Sequence, residues 1–289
     1  MATLGITLAM LAAASSPAHQ ATCTPLRVMT YNIRLALDSD GINKWSNRRD
    51  QFIGQIGLMH PAILGLQEVV RGQQADLERA LPTYKFLGLP REGGSMGESA
   101  NVAFDRTVFR LGRSGTFWLS PTPSVPSKGW DAAYSRVATW AHLVRRSDGK
   151  KFLALNTHLD NEGQQARLEG ARLIVRFLAA NRAPNEAVIM TGDLNTEPGT
   201  PPVKELTSTG LGLRDARAIS KTPPVGPTGT WNDFQPVPKG ESRIDFVLVD
   251  PNVDVLRYGV LAWHFENQGE RTASDHFPVV ADLSPCRKR

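Results

Sequence analysis

Short apolar runs rich in β-branched residues, each closed by Gly, Pro, Asn, Asp or Ser, recur along the chain. They predict strands over residues 26–34, 62–68, 99–104, 108–117, 139–145, 152–158, 187–191, 244–249, 253–258 and 279–283. Apolar residues at helical spacing predict helices over 48–59, 73–81 and, most clearly, 164–181, where Leu168, Ala171, Val175 and Leu178 interleave with Arg and Glu. Strands outnumber helices and alternate with them, the layout of an α/β protein. Stretches rich in Pro, Gly and Ser at 121–128, 198–202 and 222–229 read as loops, since they are short and the composition does not change across them. With no repeat visible, a single domain over 23–286 is expected.

Residues 1–18 are set apart from this pattern. The first 22 residues contain no Lys, Arg, Asp or Glu, and an Ala-rich apolar stretch from Leu4 to Ala14 runs into Ser15-Ser16-Pro17-Ala18. That is the form of a secretory signal peptide without its basic start, with cleavage expected after Ala18 and a secreted or periplasmic product. The stretch is shorter than the roughly 20 residues that span a bilayer, so no stable membrane anchor is expected. The only two cysteines, Cys23 and Cys286, flank the first and last predicted strands, and export to an oxidising compartment makes a disulfide between them the expected state.

Composition adds little: 41% hydrophobic and 21% charged residues are ordinary for a globular chain. The net charge of +5 suits anionic partners, but no dense basic run of the kind that tracks nucleic acid is present. A monomer acting on a small phosphorylated compound is therefore expected before nucleic acid.

The chemistry sits at strand ends. Tyr31-Asn32, Gln67-Glu68, Asn156-Thr157-His158 and Gly192-Asp193-Leu194-Asn195 close strands with amide, carboxylate and imidazole groups, and side chains at i and i+2 share a face while a strand continues. Glu68, Asp193 and Asp275 with several Asn supply oxygen ligands, which favour a hard cation such as Mg²⁺, with Mn²⁺ as a substitute, and leave His158 and His276 for proton transfer. A metal, an oriented water and a group of near-neutral pKa are the requirements of phosphoester hydrolysis. Neither a Gly-x-x-x-x-Gly-Lys loop nor a Gly-x-Ser-x-Gly elbow occurs, which argues against a P-loop enzyme and an α/β-hydrolase esterase.

Taken in order, Thr30-Tyr31-Asn32, Leu66-Gln67-Glu68, Asn156-Thr157-His158-Leu159-Asp160, Gly192-Asp193-Leu194-Asn195, Arg243-Ile244-Asp245 and Ser274-Asp275-His276 resemble the endonuclease/exonuclease/phosphatase, or DNase I-like, superfamily. Asp40-Gly41-Ile42-Asn43, Gly115 to Ser120 and Lys128 to Ala132 are similar to a bacterial subgroup that includes sugar-phosphate phosphatases. The resemblance implies a four-layer α/β/β/α sandwich of two mixed β-sheets flanked by helices, and a Mg²⁺-dependent phosphoric ester hydrolase. It implies Glu68, Asn32 and Asp275 as metal ligands. Asp193 and Asn195 would orient the water, His276 held by Asp245 would contact the phosphate, and His158 would serve as the second histidine with Glu98 orienting it. Asn156, Arg136 and Arg243 are the expected substrate contacts. A phosphatase or phosphodiesterase acting on a small organic phosphate such as a sugar phosphate is the leading reading. A secreted DNase I-like endonuclease is the second, and an inactive binding module on the same fold the third.

The chain departs from the subgroup at Pro90-Arg91-Glu92-Gly93-Gly94 and at Phe104, where an aromatic hydroxyl is expected. His19, His60, His142 and His264 have no motif and read as structural. Most of the six tryptophans read as packing, with Trp130 and Trp231, in Gly-rich loops, as the exceptions.

Overall fold

The computed structural model describes residues 24–266 and 269–285. The expected leader, Cys23 and Cys286 lie outside the described residues. In chain order the elements are β1 (Leu26–Asn32), α1 (Trp45–Met59), β2 (Ile63–Val69), α2 (Arg71–Ala80), β3 (Tyr84–Leu87), β4 (Ser99–Asp105), β5 (Phe109–Trp118), β6 (Val137–Arg145) and β7 (Lys151–His158). They continue with α3 (Gln164–Asn181), β8 (Ala187–Asp193), α4 (Pro201–Ser208), β9 (Arg214–Asp215), β10 (Asp245–Val249), β11 (Asp254–Val260), β12 (Phe265–Glu266), β13 (Glu270–Arg271) and β14 (Val279–Ser284).

Two six-stranded sheets, ordered β11-β14-β1-β2-β4-β3 and β5-β6-β7-β8-β10-β9, pack face to face. Each holds one parallel pair, β1 with β2 and β7 with β8, and both pairs are joined through a helix. The other pairings are antiparallel, so both sheets are mixed. One core lies between the sheets, around Val28, Ile63, Phe152, Ile189 and Val247. The outer face of the first sheet packs on Phe52 and Ile56 of α1 and Leu77 of α2, and that of the second on Ile174 of α3 and Leu206 of α4. The result is the expected four-layer α/β/β/α sandwich.

Strand parity explains where polarity enters this interior. Inward positions run Val28, Thr30, Asn32 on β1; Ala154, Asn156, His158 on β7; Ile189, Thr191, Asp193 on β8; and Val249, Val247, Asp245 on β10. Along each strand the inter-sheet space changes from apolar to polar, ending in an amide on β1 and in an ionisable group on β7, β8 and β10, and on three of the four it passes through a buried amide or hydroxyl. In the middle tier Gln67 Nε2 donates to Thr30 Oγ1 and Asn156 Oδ1, and Asn156 Nδ2 donates to the carbonyls of Leu66 and Asn101, tying the sheets together.

Gly65 is what allows this close approach. A Cβ there would stand 2.0 Å from Thr191 Oγ1 and 2.6 Å from Asn156 Oδ1, inside a hydrogen-bonded interior with no slack. Gly65→Ala is expected to destabilise the fold by roughly 3 kcal/mol through overpacking. Urea unfolding checks this, and an unchanged midpoint would contradict the inter-sheet packing.

Several boundaries differ from the sequence expectation. The first strand stops at Asn32 because Arg34 has a left-handed backbone (φ 55°). The 198–202 segment is not all loop, since α4 begins at Pro201, where proline's fixed φ and missing N–H suit a first helical turn. β3 and the two-residue strands β9, β12 and β13 were too short to show a period.

Candidate active site

The strand ends open into a cavity of about 710 Å³. Its lining includes Glu68, His158, Asp193, Asn195, Asp275 and His276, with Glu98 and Arg136 on one wall.

Glu68 owes its position to a defect in its strand. The β2–β4 register shifts between Leu66 and Val69, and Glu68 takes a left-handed backbone (φ 64°), unfavourable by about 1–3 kcal/mol for a residue other than glycine. Plain alternation would put Gln67 inward and Glu68 under the helices, whereas the bulge turns Glu68 to the cavity as well. Its Oε1 accepts from Asn32 Nδ2 at 2.9 Å and its Oε2 from the Leu35 N–H at 3.0 Å, leaving lone pairs on both oxygens. Asn32 Nδ2 also donates to Asp193 Oδ2 at 3.0 Å, so this amide bridges the two carboxylates.

Asp275 is buried with few donors. Its Oδ1 has Ser274 Oγ at 3.3 Å and its Oδ2 has Arg34 Nη1 at 3.8 Å. Burial pushes its carboxyl up to about 6, His276 opposes that, and the neighbouring Glu68 charge adds to it. Two like charges in one desolvated corner call for a cation, and their all-oxygen donor set fits Mg²⁺ or Mn²⁺ better than Zn²⁺, whereas Asn32, expected as a third ligand, turns its Nδ2 to Glu68 and Asp193 and its Oδ1 to the Arg34 N–H.

His276 belongs to a second group. Its Nδ1 lies 2.8 Å from Asp245 Oδ2 and its Nε2 3.7 Å from Asp193 Oδ2. Burial alone would lower its pKa, but the flanking Asp245 and Asp193 carboxylates outweigh burial and hold it well above the ordinary value. Ligand atoms of Asp193, Asp245 and His276 all lie within 4.8 Å of one another, so this trio could itself hold an ion. Its Nδ1–Oδ2 contact is a hydrogen bond, however, and the buried imidazole between two carboxylates is the arrangement of a proton-handling group.

Asp193, though buried, is kept below the usual carboxylate range, because His158, His276, the Asn32 amide and the Asn195 N–H outweigh desolvation. Its strand ends there, and Asn195, in a left-handed conformation (φ 48°), folds back so that Nδ2 lies 2.9 Å from His158 Nε2 and donates to the Leu159 carbonyl. The other ring nitrogen of His158, Nδ1, faces Glu98 Oε1 at 3.5 Å. Glu98 is buried too, yet His158, Arg136 and Arg91 hold it down at about 2.

Two expected substrate contacts are corrected by this geometry. Asn156 shares a face with His158, as i, i+2 spacing requires, but it sits one tier deeper, is fully buried and spends its amide on the inter-sheet bonds described above. Arg243 precedes β10 and turns away from the cavity into an ion pair with Asp215, over the Phe246 ring. Arg136 does line the cavity, held by Glu98 at 3.1 Å, Asp160 at 3.3 Å and Asn161 at 2.8 Å. Phe104 lies in the inter-sheet core, and the hydroxylated aromatic of the wall is Tyr134, with the Arg91 guanidinium 4.6 Å from its ring centroid.

Three contributors had no assigned role in the sequence reading: Arg34, Tyr134 and Asp160. Asp160 anchors the wall. Its Oδ1 accepts from the N–H groups of Ala133, Glu162 and Gly163, and its Oδ2 from the Tyr134 N–H and Arg136 Nε. Burial raises its carboxyl, but these donors outweigh burial and hold it at about 2. Asp160→Asn is expected to lower stability by about 2–4 kcal/mol, because one amide nitrogen must face donors. Since the folded-state value lies below the ordinary one, the wild-type margin is present above pH about 3.8 and lost as pH falls towards 2. Thermal melts of both proteins from pH 3 to 7 check this, and equal melting temperatures at neutral pH would contradict it.

Comparisons with known proteins place the chain in a family. The sequence profile of the Endonuclease/Exonuclease/phosphatase family matches residues 29–276. A mannosyl-6-phosphatase of Bacteroides thetaiotaomicron VPI-5482 superposes with a TM-score of 0.85 at 35% identity, the match covering 89% of this chain and 99% of that one. A family protein from Bacteroides vulgatus superposes at 0.83 with 33% identity, covering 90% of this chain and 98% of the other. An uncharacterized protein of Acanthamoeba polyphaga mimivirus is 28% identical over 184 residues, 60% of this chain and 68% of that protein. With the profile spanning β1 to the Asp275-His276 pair, the chain belongs to the Endonuclease/Exonuclease/phosphatase family, a group of phosphoric ester hydrolases that generally depend on a divalent metal.

Proposed function

We propose that this protein is a Mg²⁺-dependent phosphatase acting on a small organic phosphate, with sugar phosphates as the leading substrate class. One observation carries the reading: the oxygen-rich corner of Glu68 and Asp275 adjoins the Asp245–His276 pair and the Asp193–Asn195 turn at one end of a single cavity. The preference for a small substrate is supported by the walls. Arg34, Arg91 and Arg136 each pair with a carboxylate, Asp40, Glu98 and Asp160, so the lining is not the cationic track that a polyphosphate backbone needs. The likeness to a mannosyl-6-phosphatase points the same way.

In this proposal Glu68 and Asp275 would hold the cation, with the Asn32 amide fixing Glu68, and the cation would neutralise charge on the phosphoryl oxygens. Asp193 and the Asn195 turn orient the attacking water, the low pKa of Asp193 keeping it ionised as a hydrogen-bond acceptor, and the water's proton ends on the leaving alcohol as the ester P–O bond breaks. His276, cationic between Asp245 and Asp193, hydrogen-bonds a non-bridging phosphoryl oxygen as negative charge builds there. His158, with Nδ1 towards Glu98 and Nε2 against Asn195, fixes the turn that carries the water-orienting group. The Asp245 carboxylate holds His276 in orientation. The proposal extends to export by the leader expected at 1–18 and to action as a monomer, which protease accessibility in intact cells and size-exclusion chromatography test.

Purified protein should be assayed against hexose phosphates, inositol phosphates, sphingomyelin and plasmid DNA with Mg²⁺, Mn²⁺ or EDTA. Phosphate release from hexose phosphates in Mg²⁺ is expected. Salt-sensitive nicking of plasmid without phosphate release would instead establish the nuclease reading.

A further inference from the structure

The reacting end of the cavity accounts for only part of its 710 Å³, and the remainder must receive the organic part of a substrate. Two aromatic side chains line it, Tyr134 and Trp231. Tyr134 stacks on arginine, while Trp231 is tied directly to the catalytic segment. The backbone of Trp231 forms an antiparallel bridge with His276. Around that bridge Phe277 N–H donates to the Thr230 carbonyl at 2.7 Å, and the N–H groups of Asn232 and Asp233 donate to the Asp275 carbonyl at 2.8 and 3.1 Å. Residues directly opposite in an antiparallel pair project to the same side, about 5 Å apart at Cβ. The indole and the imidazole that meets the phosphate therefore face one way, into the cavity.

The indole also meets a cation from its own loop. Lys239 Nζ lies 4.9 Å from the Trp231 ring centroid, is fixed by Asp233 Oδ2 at 2.8 Å, and its N–H donates to the Trp231 carbonyl at 2.8 Å. A cation held on one face of an aromatic ring by its own loop restrains the ring from turning. Ser242, whose carbonyl faces the Trp231 backbone N–H, and Asn161 and Arg136 line the same cavity and supply polar groups to it. A cavity that combines a flat apolar surface with amide, hydroxyl and guanidinium groups matches a pyranose, which has a C–H face and a belt of hydroxyls.

We propose that Trp231 is a sugar-ring platform: the hexose of the substrate stacks on the cavity face of the indole while its phosphate sits at His276, and this contact selects cyclic sugar phosphates over acyclic ones. The proposal rests on the phosphatase reading above and names the residue that gives it specificity.

The test compares a hexose 6-phosphate with glycerol 3-phosphate, which carries the same ester but no ring. Trp231→Ala should raise KM for the hexose phosphate roughly tenfold with kcat within about twofold, and leave kcat/KM for glycerol 3-phosphate within about twofold. Trp231→Phe should restore most of the loss. Titration of wild type with the hexose phosphate in Ca²⁺ should perturb tryptophan emission, and Trp231→Phe should lose that response. Equal losses on both substrates, no loss on either, or a larger loss on a nucleoside 5′-monophosphate would overturn the platform alone. Failure of wild type to release phosphate from any of these esters would overturn the phosphatase reading and the platform with it.

Discussion

Glu68→Gln is expected to reduce Mg²⁺-dependent phosphate release at least about 10³-fold, the scale lost when a metal no longer stabilises developing charge. Both Glu68 oxygens accept from N–H donors, Asn32 Nδ2 and the Leu35 N–H. An amide in their place presents its NH₂ to one of them, so the variant loses a metal-binding charge and the geometry of the remaining oxygen. That conflict is unfavourable by about 1–2 kcal/mol. Relief of the repulsion with Asp275 works in the opposite direction, so the melting temperature should stay within a few degrees of wild type. Isothermal titration with Mn²⁺ separates the effects: weaker binding with an intact fold is expected, and unchanged turnover would remove Glu68 from the site.

His276→Ala is the second large effect, with kcat falling about 10²–10⁴-fold. Here stability should fall as well, because Asp245 is buried, already has one oxygen without a partner, and would lose the imidazole that compensates its charge. Breaking such a pair is unfavourable by about 3–5 kcal/mol. The double replacement His276→Ala with Asp245→Asn should recover much of the stability and none of the activity. Chemical denaturation of wild type and the two variants beside their phosphate release checks both halves. A His276→Ala protein that is as stable and as active as wild type would contradict the ion-pair account.

These residues were visible in the sequence to different degrees, for physical reasons. Asn32, His158 and Asp193 close strands whose alternation is regular, so parity alone places them on the inward face at the end of the sheet. Parity could not separate Asn156 from His158, because depth between the sheets is set by register across both sheets, which the register of β1 with β2 and of β7 with β8 fixes only in the folded protein. Glu68 runs against parity, and only the bulge brings it to the cavity. Arg243 was expected beside Asp245 at the substrate, whereas β10 begins at Asp245 and the arginine before it turns to Asp215. Asp160 stood inside a recognised motif, but its five donors come mostly from loop backbone, which has no residue-type signature. Trp231 was singled out by its Gly-rich loop, while its pairing with His276 is a tertiary bridge between segments 45 residues apart (276 − 231).

The division of labour that follows is between a metal corner, a charged imidazole and a water-orienting turn, each built on a different strand end. If it is right, the reaction requires both an ester of a small phosphate and a divalent cation. The measurement that bears on this most directly is inorganic phosphate release from a hexose 6-phosphate by the purified wild-type protein, first with Mg²⁺ and then with EDTA followed by Mg²⁺ again. The account predicts turnover with Mg²⁺, its loss in EDTA and its return when Mg²⁺ is restored. Release that continues undiminished in EDTA, or cleavage of plasmid DNA with no release from any sugar phosphate, would contradict it.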